Sequence, residues 1–327
     1  MKKNNNRTNT LKGKRLLIVN TGNLKKRFIL QRLKKLGLTT IVLNKEKNWA
    51  APYVDEWIIA DTTKHNETIA AVSQYLHSHA KFDGTITFWE DDVLLTAKIV
   101  DKFRFIGIPY AISRQIRNKY LFREFCIKHD LPSPKHLLIN TEDDLCFVKK
   151  NFTFPLVIKP TYGSSSAFVV KVEDEQELTE TYEYVKTNIS TGIESALADG
   201  VGVLVEEYVD GDEVDLDILI QNGKIKFYSI ADNHQTREPF FLETGYSLPS
   251  DLPENDQEAL IDMAEETLEK LGVMHGCIHF EAKSTSKGPV PIEVNLRMGG
   301  DEIYPSVKSV WGIDLIETAT PLRWGST

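Results

Sequence analysis

Residues 288–300 of the chain read G-P-V-P-I-E-V-N-L-R-M-G-G. Glu293, Asn295 and Arg297 occupy alternate positions of this otherwise apolar run. Because side chains two residues apart on a strand share one face, the carboxylate, the amide and the guanidinium are predicted to point the same way. The pattern indicates a strand with a polar site on one face.

A second run at residues 277–283, C-I-H-F-E-A-K, shows the same alternation, and residues 284–288 are suited to a turn between the two runs. If the runs pair as an antiparallel hairpin about Lys287, Glu281 lies opposite Glu293. Two neighbouring carboxylates repel each other unless a cation lies between them, and Mg²⁺ accepts carboxylate and amide oxygens as ligands. The spacing favours a metal site over the alternative, a hairpin with solvated charges.

Arg297 lies one step beyond that site and could bind an outer phosphate through both arms of its guanidinium. With the mirrored carboxylates, the hairpin therefore predicts a metal–phosphate site.

Composition limits the class of protein. The chain has 327 residues, 41% of them hydrophobic, and a net charge of -8. It can bury a large core and is predicted to form two or three domains. The negative charge argues against nucleic-acid or anionic-membrane binding, which needs a basic surface.

The sequence also gives expectations about location. No apolar run is long enough to span a bilayer, and the polar start lacks the apolar core of a secretion signal. Residues 1–13 are predicted to be a disordered tail. The three cysteines suggest neither a disulfide framework nor a metal site, so a cytoplasmic location is expected.

The first third alternates between strand and helix. Strands are predicted at residues 15–19, 39–43, 57–60 and 84–88, with a helix at 65–77, which indicates a parallel sheet covered by helices. The N-T-G-N turn after the first strand has one glycine where a dinucleotide fingerprint has three, so we reject nicotinamide binding. Glu90, in T-F-W-E-D-D, is either a helix N-terminal charge or a contact for a substrate amine.

The second unit carries a candidate phosphate loop. The helix at residues 118–129 has Leu121, Phe122, Phe125 and Cys126 on its apolar stripe. The strand F-P-L-V-I-K-P follows and ends in Lys159, before the small polar tip T-Y-G-S-S-S. Amides and hydroxyls of such a tip can surround phosphate oxygens while the lysine neutralises their charge. A flexible turn without function is the alternative.

Acidic residues mark the third unit. Two strands are predicted around Asp210 and Gly211, and Glu213, Asp215 and Asp217 share one face of the second. That face is either a solvated edge or bound to cations or hydroxyls. The long loop at residues 232–250 could bring Glu243 to a substrate amine and Arg237 to a carboxylate, or could be a surface connection.

The order of these pieces resembles the ATP-grasp superfamily, from about residue 119 to 314. The motifs T-F-W-E-D, F-L-E-T-G-Y-S-L-P-S and E-V-N-L-R-M-G-G-D resemble its carnosine-synthase-like and bacterial L-amino acid ligase branch. The resemblance implies an α/β (α+β) fold with a Rossmann-like preATP-grasp domain at residues 14–112. A two-lobed ATP-grasp fold would follow, with lobes at residues 113–204 and 205–327.

The resemblance also implies roles for single residues. Lys119 and Lys159 would contact the ATP phosphates, and the flap formed by Ser164, Ser165 and Ser166 would close over them. The adenine hinge would be Glu206, Glu207, Tyr208 and Val209, and Glu213 would bind the ribose. Two Mg²⁺ ions, or Mn²⁺, would be held by Glu281, Glu293 and Asn295. Arg297 and Lys159 would be catalytic, and substrate contacts would come from Glu90, Arg237, Glu243, Arg297, Gly299 and Gly300.

The implied activity is a carboxylate–amine ligase that acts through an acyl phosphate and releases ADP and phosphate. The alternatives are another ATP-grasp reaction, namely a carboxylation or a purine-type amide synthesis, and a non-catalytic nucleotide-binding module. The expected partners are small carboxylates and amines, and a homodimer is allowed. His234, His275 and His279 are candidates for the general base, and the sequence does not decide between them. Because amino-acid ligases of this type usually continue past the last predicted helix, the chain is expected to be a shorter relative or truncated.

Overall fold

The computed structural model describes residues 11–190 and 195–321. The first ten residues of the predicted tail lie outside this part of the chain. Residues 11–13 do not behave as a tail, because Leu11 is 1% exposed in a hydrophobic core and the Gly13 amide donates a hydrogen bond to the Gly37 carbonyl.

The N-terminal region forms a four-stranded sheet in the order β3-β2-β1-β4, and all its pairings are parallel, as predicted. Successive strand residues alternate between two cores: Leu16 and Ile18 face one side, Leu17 and Val19 the other. The elements are β1 (Arg15–Val19), α1 (Arg27–Lys35), β2 (Thr39–Asn44), β3 (Glu56–Ile59), α2 (His65–Ser78), β4 (Gly84–Ile86), α3 (Val93–Phe103), and then α4 (Tyr110–Arg117) and α5 (Lys119–Lys128).

A small antiparallel sheet follows, in the order β5-β8-β6-β7. Two helices cover it and share one core with its strands. The first of them begins with a capping box, in which Thr141 and Asp144 satisfy each other's backbone amides. The elements are β5 (His136–Ile139), α6 (Glu142–Asn151), β6 (Leu156–Pro160), β7 (Val170–Val172), α7 (Glu175–Asn188) and β8 (Val203–Glu207).

The large sheet is antiparallel, in the order β11-β10-β9-β12-β13. One of its faces packs against α8 and the other against the N-terminal region, which places Cys277 and Leu219 in one core with Leu16. The elements are β9 (Asp212–Gln221), β10 (Lys224–Asn233), β11 (Tyr246–Ser247), α8 (Glu254–Leu271), β12 (His275–Thr285), β13 (Gly288–Asn295), α9 (Ile303–Trp311) and α10 (Leu315–Ala319).

These contacts suggest domain limits that differ from the expected ones. Phe122 and Cys126 of α5 pack in the core of the large sheet, although they precede the small sheet in the chain. The expected limit between residues 204 and 205 falls inside β8, which pairs with β5 and β6. We therefore propose that α4 and α5 belong with the large lobe and that the small lobe ends after β8.

The β12–β13 hairpin places Glu281 directly opposite Glu293, as predicted. The turn is tighter than expected, since Thr285 already pairs with Gly288. An extra residue, Ile292, forms a bulge between the pairs Ala282–Pro291 and Glu281–Glu293 and restores the register. The tighter turn shifts the pairing by one residue, and the bulge shifts it back by one. The two carboxylates therefore lie opposite each other.

The turn after β1 is held against the end of β4. Gly22 adopts a left-handed conformation (φ 60°), and a Cβ at this position would lie 1.5 Å from the Trp89 ring. Only glycine can satisfy both the backbone and the packing here. The Trp49 indole donates a hydrogen bond to the Gly22 carbonyl (3.1 Å) and completes the contact.

We expect Gly22→Ala to destabilise the protein by about 1–3 kcal/mol, because Trp89 must move and the alanine is strained. Gly13→Ala is the matched control: Gly13 has a similar φ of 78°, but a Cβ there meets nothing within 4 Å. Urea unfolding measures the loss of unfolding free energy in each variant. The loss in Gly13→Ala reports backbone strain alone, and the additional loss in Gly22→Ala reports the contact with Trp89. Equal losses of unfolding free energy would show that the Trp89 contact contributes nothing.

Candidate active site

A cleft lies between the small lobe and the large sheet. The cleft brings together most of the residues that the sequence predicted for ATP and metal binding: Lys119, Lys159, Ser164, Ser165, Ser166, Glu206, Glu207, Tyr208, Val209, Glu213, Glu281 and Glu293.

Lys159 is fixed at the end of β6 by a buried ion pair. Its Nζ lies 2.6 Å from Glu206 Oε2, and Arg123 Nε lies 2.8 Å from Glu206 Oε1. Burial would raise the pKa of Glu206, but the charges of Arg123 and Lys159 lower it to about 2. Burial lowers the pKa of Lys159, and Glu206 opposes that shift. The carboxylate of Glu206 therefore positions Lys159 in the cleft. One of its oxygens pairs with Lys159 and the other with Arg123.

Glu281 and Glu293 form a pair of partly buried acids on adjacent strands. Burial, and then the charge of Glu293, raise the pKa of Glu281 well above its usual range. Lys119 Nζ lies 2.9 Å from Glu293 Oε2, and the Asn295 amide donates a hydrogen bond to Glu281 Oε1 (3.0 Å). Two adjacent carboxylates and an amide match the oxygen-rich donor set of Mg²⁺.

Within residues 11–190 and 195–321, no three His, Cys, Asp or Glu side chains form a group that could hold a metal ion. Glu281 and Glu293 are thus two acidic donors without a third. An ion at this pair would need its remaining ligands from water or phosphate, which is the usual situation for Mg²⁺.

The flap between β6 and β7 is a strained polar loop. Ser165 and Ser166 both adopt left-handed backbone conformations, with φ of 52° and 54°. At its base, the Gly163 carbonyl accepts hydrogen bonds from Arg117 and from Lys119, each at 3.3 Å. The three flap serines line the cleft, and cations hold the base of the loop.

The ring of Tyr208 lines the cleft and is surrounded by two lysines and a phenylalanine. Lys171 Nζ lies 4.4 Å and Lys283 Nζ 5.0 Å from the centroid of its ring, and Phe241 packs against it at 6.3 Å. The apolar side chains Val157, Val169 and Ile292 line the same cleft. A flat apolar group could pack in this part of the site.

The acidic face of β9 is not a solvated edge, because β9 is the central strand of its sheet. Asp215 and Asp217 are 5% and 1% exposed. His279 lies against both, with Nδ1 3.2 Å from Asp217 and Nε2 3.8 Å from Asp215. Burial would lower the pKa of His279, but the two aspartates raise it to about 10. His279 is therefore a structural cation and cannot act as a general base near neutral pH.

Glu213, at the start of the same strand, does face the cleft. Its carboxylate lies 3.8 Å from Lys283 Nζ, and burial raises its pKa.

A second charged cluster links Arg297 to the N-terminal region. Glu90 Oε2 lies 2.7 Å from Arg297 Nε, and Glu90 Oε1 lies 3.0 Å from Arg117 Nε. Each oxygen of Glu90 thus lies at ion-pair distance from a guanidinium group, although Glu90 Oε2 accepts no hydrogen bond among the described residues. Glu90 orients Arg297, which argues against the predicted contact with a substrate amine and against a simple helix-terminal charge.

Of the remaining residues predicted to contact substrate, some line the cleft and others do not. Glu243 lines the cleft, whereas Arg237 is exposed and lies outside it. Gly299 is a packing requirement, since a Cβ there would lie 2.8 Å from Asp217 and 2.9 Å from His279. Its amide donates a hydrogen bond to Asp217 (3.3 Å).

Sequence reasoning missed Arg117, Arg123 and Lys283. The buried stripe of α5 is Lys119, Phe122, Arg123 and Cys126, which is rotated from the predicted one. Its i, i+3, i+4, i+7 spacing was a usable signal, because charges at buried helical positions require ionic partners. Lys283 continues the alternation of His279 and Glu281 and was equally visible.

Comparison with known families agrees with this geometry. The model for the ATP-grasp domain matches residues 152–305, and the model for the ATP-grasp N-terminal domain matches residues 31–105. The chain belongs to the ATP-grasp superfamily. ATP-grasp proteins generally use ATP and Mg²⁺, and their N-terminal domain corresponds here to the parallel sheet.

Individual relatives of this ATP-grasp chain are ligases. It is 26% identical to human carnosine synthase 1 over 96% of its own length and 40% of that protein. It is 25% identical to the alanine–anticapsin ligase of Bacillus subtilis over 68% of its own length and 49% of that protein. The chain thus spans less than half the length of these two relatives.

Among solved structures, the L-amino acid ligase from Bacillus licheniformis superposes with a TM-score of 0.80 at 26% identity, covering 94% of this chain and 73% of that one. Within the described residues, no helix is long and apolar enough to cross a membrane.

The Glu206 ion pair predicts a pH dependence of stability. Because the folded pKa of Glu206 is about 2 against an ordinary 4.5, its contribution is complete above pH 4.5 and is lost as the pH falls towards 2. We expect the gap in unfolding free energy between wild type and Glu206→Gln to shrink over that interval. Urea unfolding of both proteins between pH 7 and pH 3 measures this difference in unfolding free energy. A gap that stays constant with pH would contradict the ion pair.

Proposed function

We propose that this ATP-grasp chain is an ADP-forming carboxylate–amine ligase that joins two amino acids, or an amino acid and another small acid, by an amide bond. The observation that carries the proposal is the cleft in which Lys119, Lys159 and the serine flap meet the acid pair Glu281 and Glu293. Its similarity to the L-amino acid ligase of Bacillus licheniformis supports the amide product.

ATP would lie along the cleft. The Glu206–Val209 segment, with Tyr208 and Phe241, would pack around the adenine, and Glu213 would accept hydrogen bonds from the ribose. Lys119 and Lys159 would neutralise the phosphates beneath the flap. Phosphoryl transfer requires mainly alignment and charge neutralisation. Two lysines that are each held by a glutamate can supply both.

Glu281, Glu293 and Asn295 would hold Mg²⁺, two ions in our proposal, with Mn²⁺ as a substitute. When bound, the metal supplies positive charge to the phosphate oxygens. The fit rests on these two partly buried acids, of which Glu281 has a strongly raised pKa because of burial and the neighbouring charge of Glu293.

The reaction has two steps. A carboxylate oxygen of the first substrate attacks the γ-phosphorus, the bond to the β-phosphate oxygen breaks, and ADP leaves. The amine nitrogen of the second substrate then attacks the acyl carbon, phosphate leaves, and the nitrogen loses a proton. Arg297, aimed by Glu90, would stabilise the charge that develops on the transferred phosphate and the tetrahedral carbon. The flap would exclude water from the acyl phosphate.

The direct test is ADP and phosphate release with ATP, Mg²⁺ and a pairwise matrix of amino acids and small acids, followed by mass spectrometry. We expect release that depends on two substrates and a product lighter than their sum by one water. Release with bicarbonate as the only acid would favour a carboxylase instead. ATP binding without release in any well would favour a nucleotide-binding module.

We expect Glu293→Gln to reduce kcat by at least about 100-fold, because the substitution removes one of the two acids proposed to bind the metal. Lys287→Ala, in the exposed turn of the same hairpin, is the matched control and should behave like wild type. Steady-state ADP release at varied Mg²⁺ concentration measures both. Turnover near the wild-type rate in Glu293→Gln would remove the metal assignment.

A further inference from the structure

Lys26 is held in place by the turn that follows β1. It ends a short helix, Leu24–Lys26, whose first turn is capped by the Asn23 side chain. The turn before it is fixed where Trp89 packs directly on Gly22. Lys26 therefore has a defined position rather than that of a mobile surface lysine.

The position lies beside the loop that carries Arg297. Lys26 Nζ is 5.1 Å from the centroid of the Trp89 ring, and a Cβ on Gly300 would lie 3.6 Å from the same Nζ. Trp89 immediately precedes Glu90, whose carboxylate holds Arg297. Two segments that define the surroundings of Arg297 thus also contact Lys26.

The charge of Lys26 is not matched by a close acid. In the part of the chain that the structure describes, no carboxylate oxygen lies within 4.0 Å of its Nζ. Burial and the neighbouring Arg297 lower its pKa, and Asp301 and Glu302 oppose the shift only from a distance. Four other cations of the site have a carboxylate oxygen within 3.0 Å: Arg117, Lys119, Lys159 and Arg297.

Ligation consumes the carboxylate of one substrate, but an amino acid that supplies the amine keeps its own. That surviving negative charge needs a cation outside the phosphate site and within reach of Arg297. We propose that Lys26 binds the carboxylate of the amine substrate, so that this substrate is an amino acid rather than a simple amine. The inference rests on the proposed ligase function and adds a residue that selects the substrate class.

Binding provides the first test. Wild type, Lys26→Met and Lys26→Arg, each with ADP and Mg²⁺, are titrated with the proteinogenic L-amino acids and their carboxamides, and the rise in Tm is followed. Amino acids that stabilise wild type should need about tenfold higher concentration in Lys26→Met, because a charged hydrogen bond is lost. The carboxamides should not distinguish the two proteins, and Lys26→Arg should retain the preference for the acid.

Lys25→Met is the control, since Lys25 is an exposed neighbour in the same helix. Should Lys26→Met fold poorly, Lys26→Gln replaces it. Equal midpoints for the free amino acids in wild type and variant, or the absence of amino-acid binding to wild type, would overturn the proposal.

Kinetics separate this proposal from the ligase function itself. With a productive pair, Lys26→Met should raise the KM of the amine substrate about tenfold and leave the KM of ATP unchanged. If wild type turns over and that KM does not change, Lys26 has no such role and the ligase stands. If no pair turns over while binding still depends on Lys26, the carboxylate site stands and the ligase function fails.

Discussion

The opposition of Glu281 and Glu293 is the constraint on which the rest of the site depends. Two neighbouring carboxylates on adjacent strands, both partly buried, cannot both stay charged without cations around them. Lys119 approaches one of them from α5, and the other is left with a strongly raised pKa. Glu281 therefore favours its protonated form until a cation lies beside it, at the point where phosphate and metal would meet.

The same principle organises the neighbouring charges. Glu206 holds Lys159 and Arg123, Glu90 holds Arg297 and Arg117, and His279 sits between two aspartates. Each of these charges has an opposite partner, so these side chains are fixed before any ligand arrives. Such preorganisation is what phosphoryl and acyl transfer require from a protein.

Much of the fold could be read from the sequence, because hydrophobic periodicity is local. The strand at residues 15–19 and the opposed acids of the last hairpin were predicted correctly. Strand β5 and helix α7 were not predicted, since their patterns are short or strongly polar. The predicted stripe of α5 was only partly correct. Phe122 and Cys126 are buried, but Lys119 and Arg123 complete the stripe, and they look like surface residues until their acidic partners are known.

Spacing along single segments was enough to predict the parallel N-terminal strands, the shared face of Glu281, Glu293 and Asn295, and the serine loop after β6. Which charges meet depends on the tertiary structure. Glu90 holds Arg297 across about two hundred residues of chain, Arg123 of α5 reaches Glu206 of β8, and Lys26 comes to lie beside Gly300. These pairings depend on how the three sheets pack together, and the spacing within any single segment carries no information about that packing.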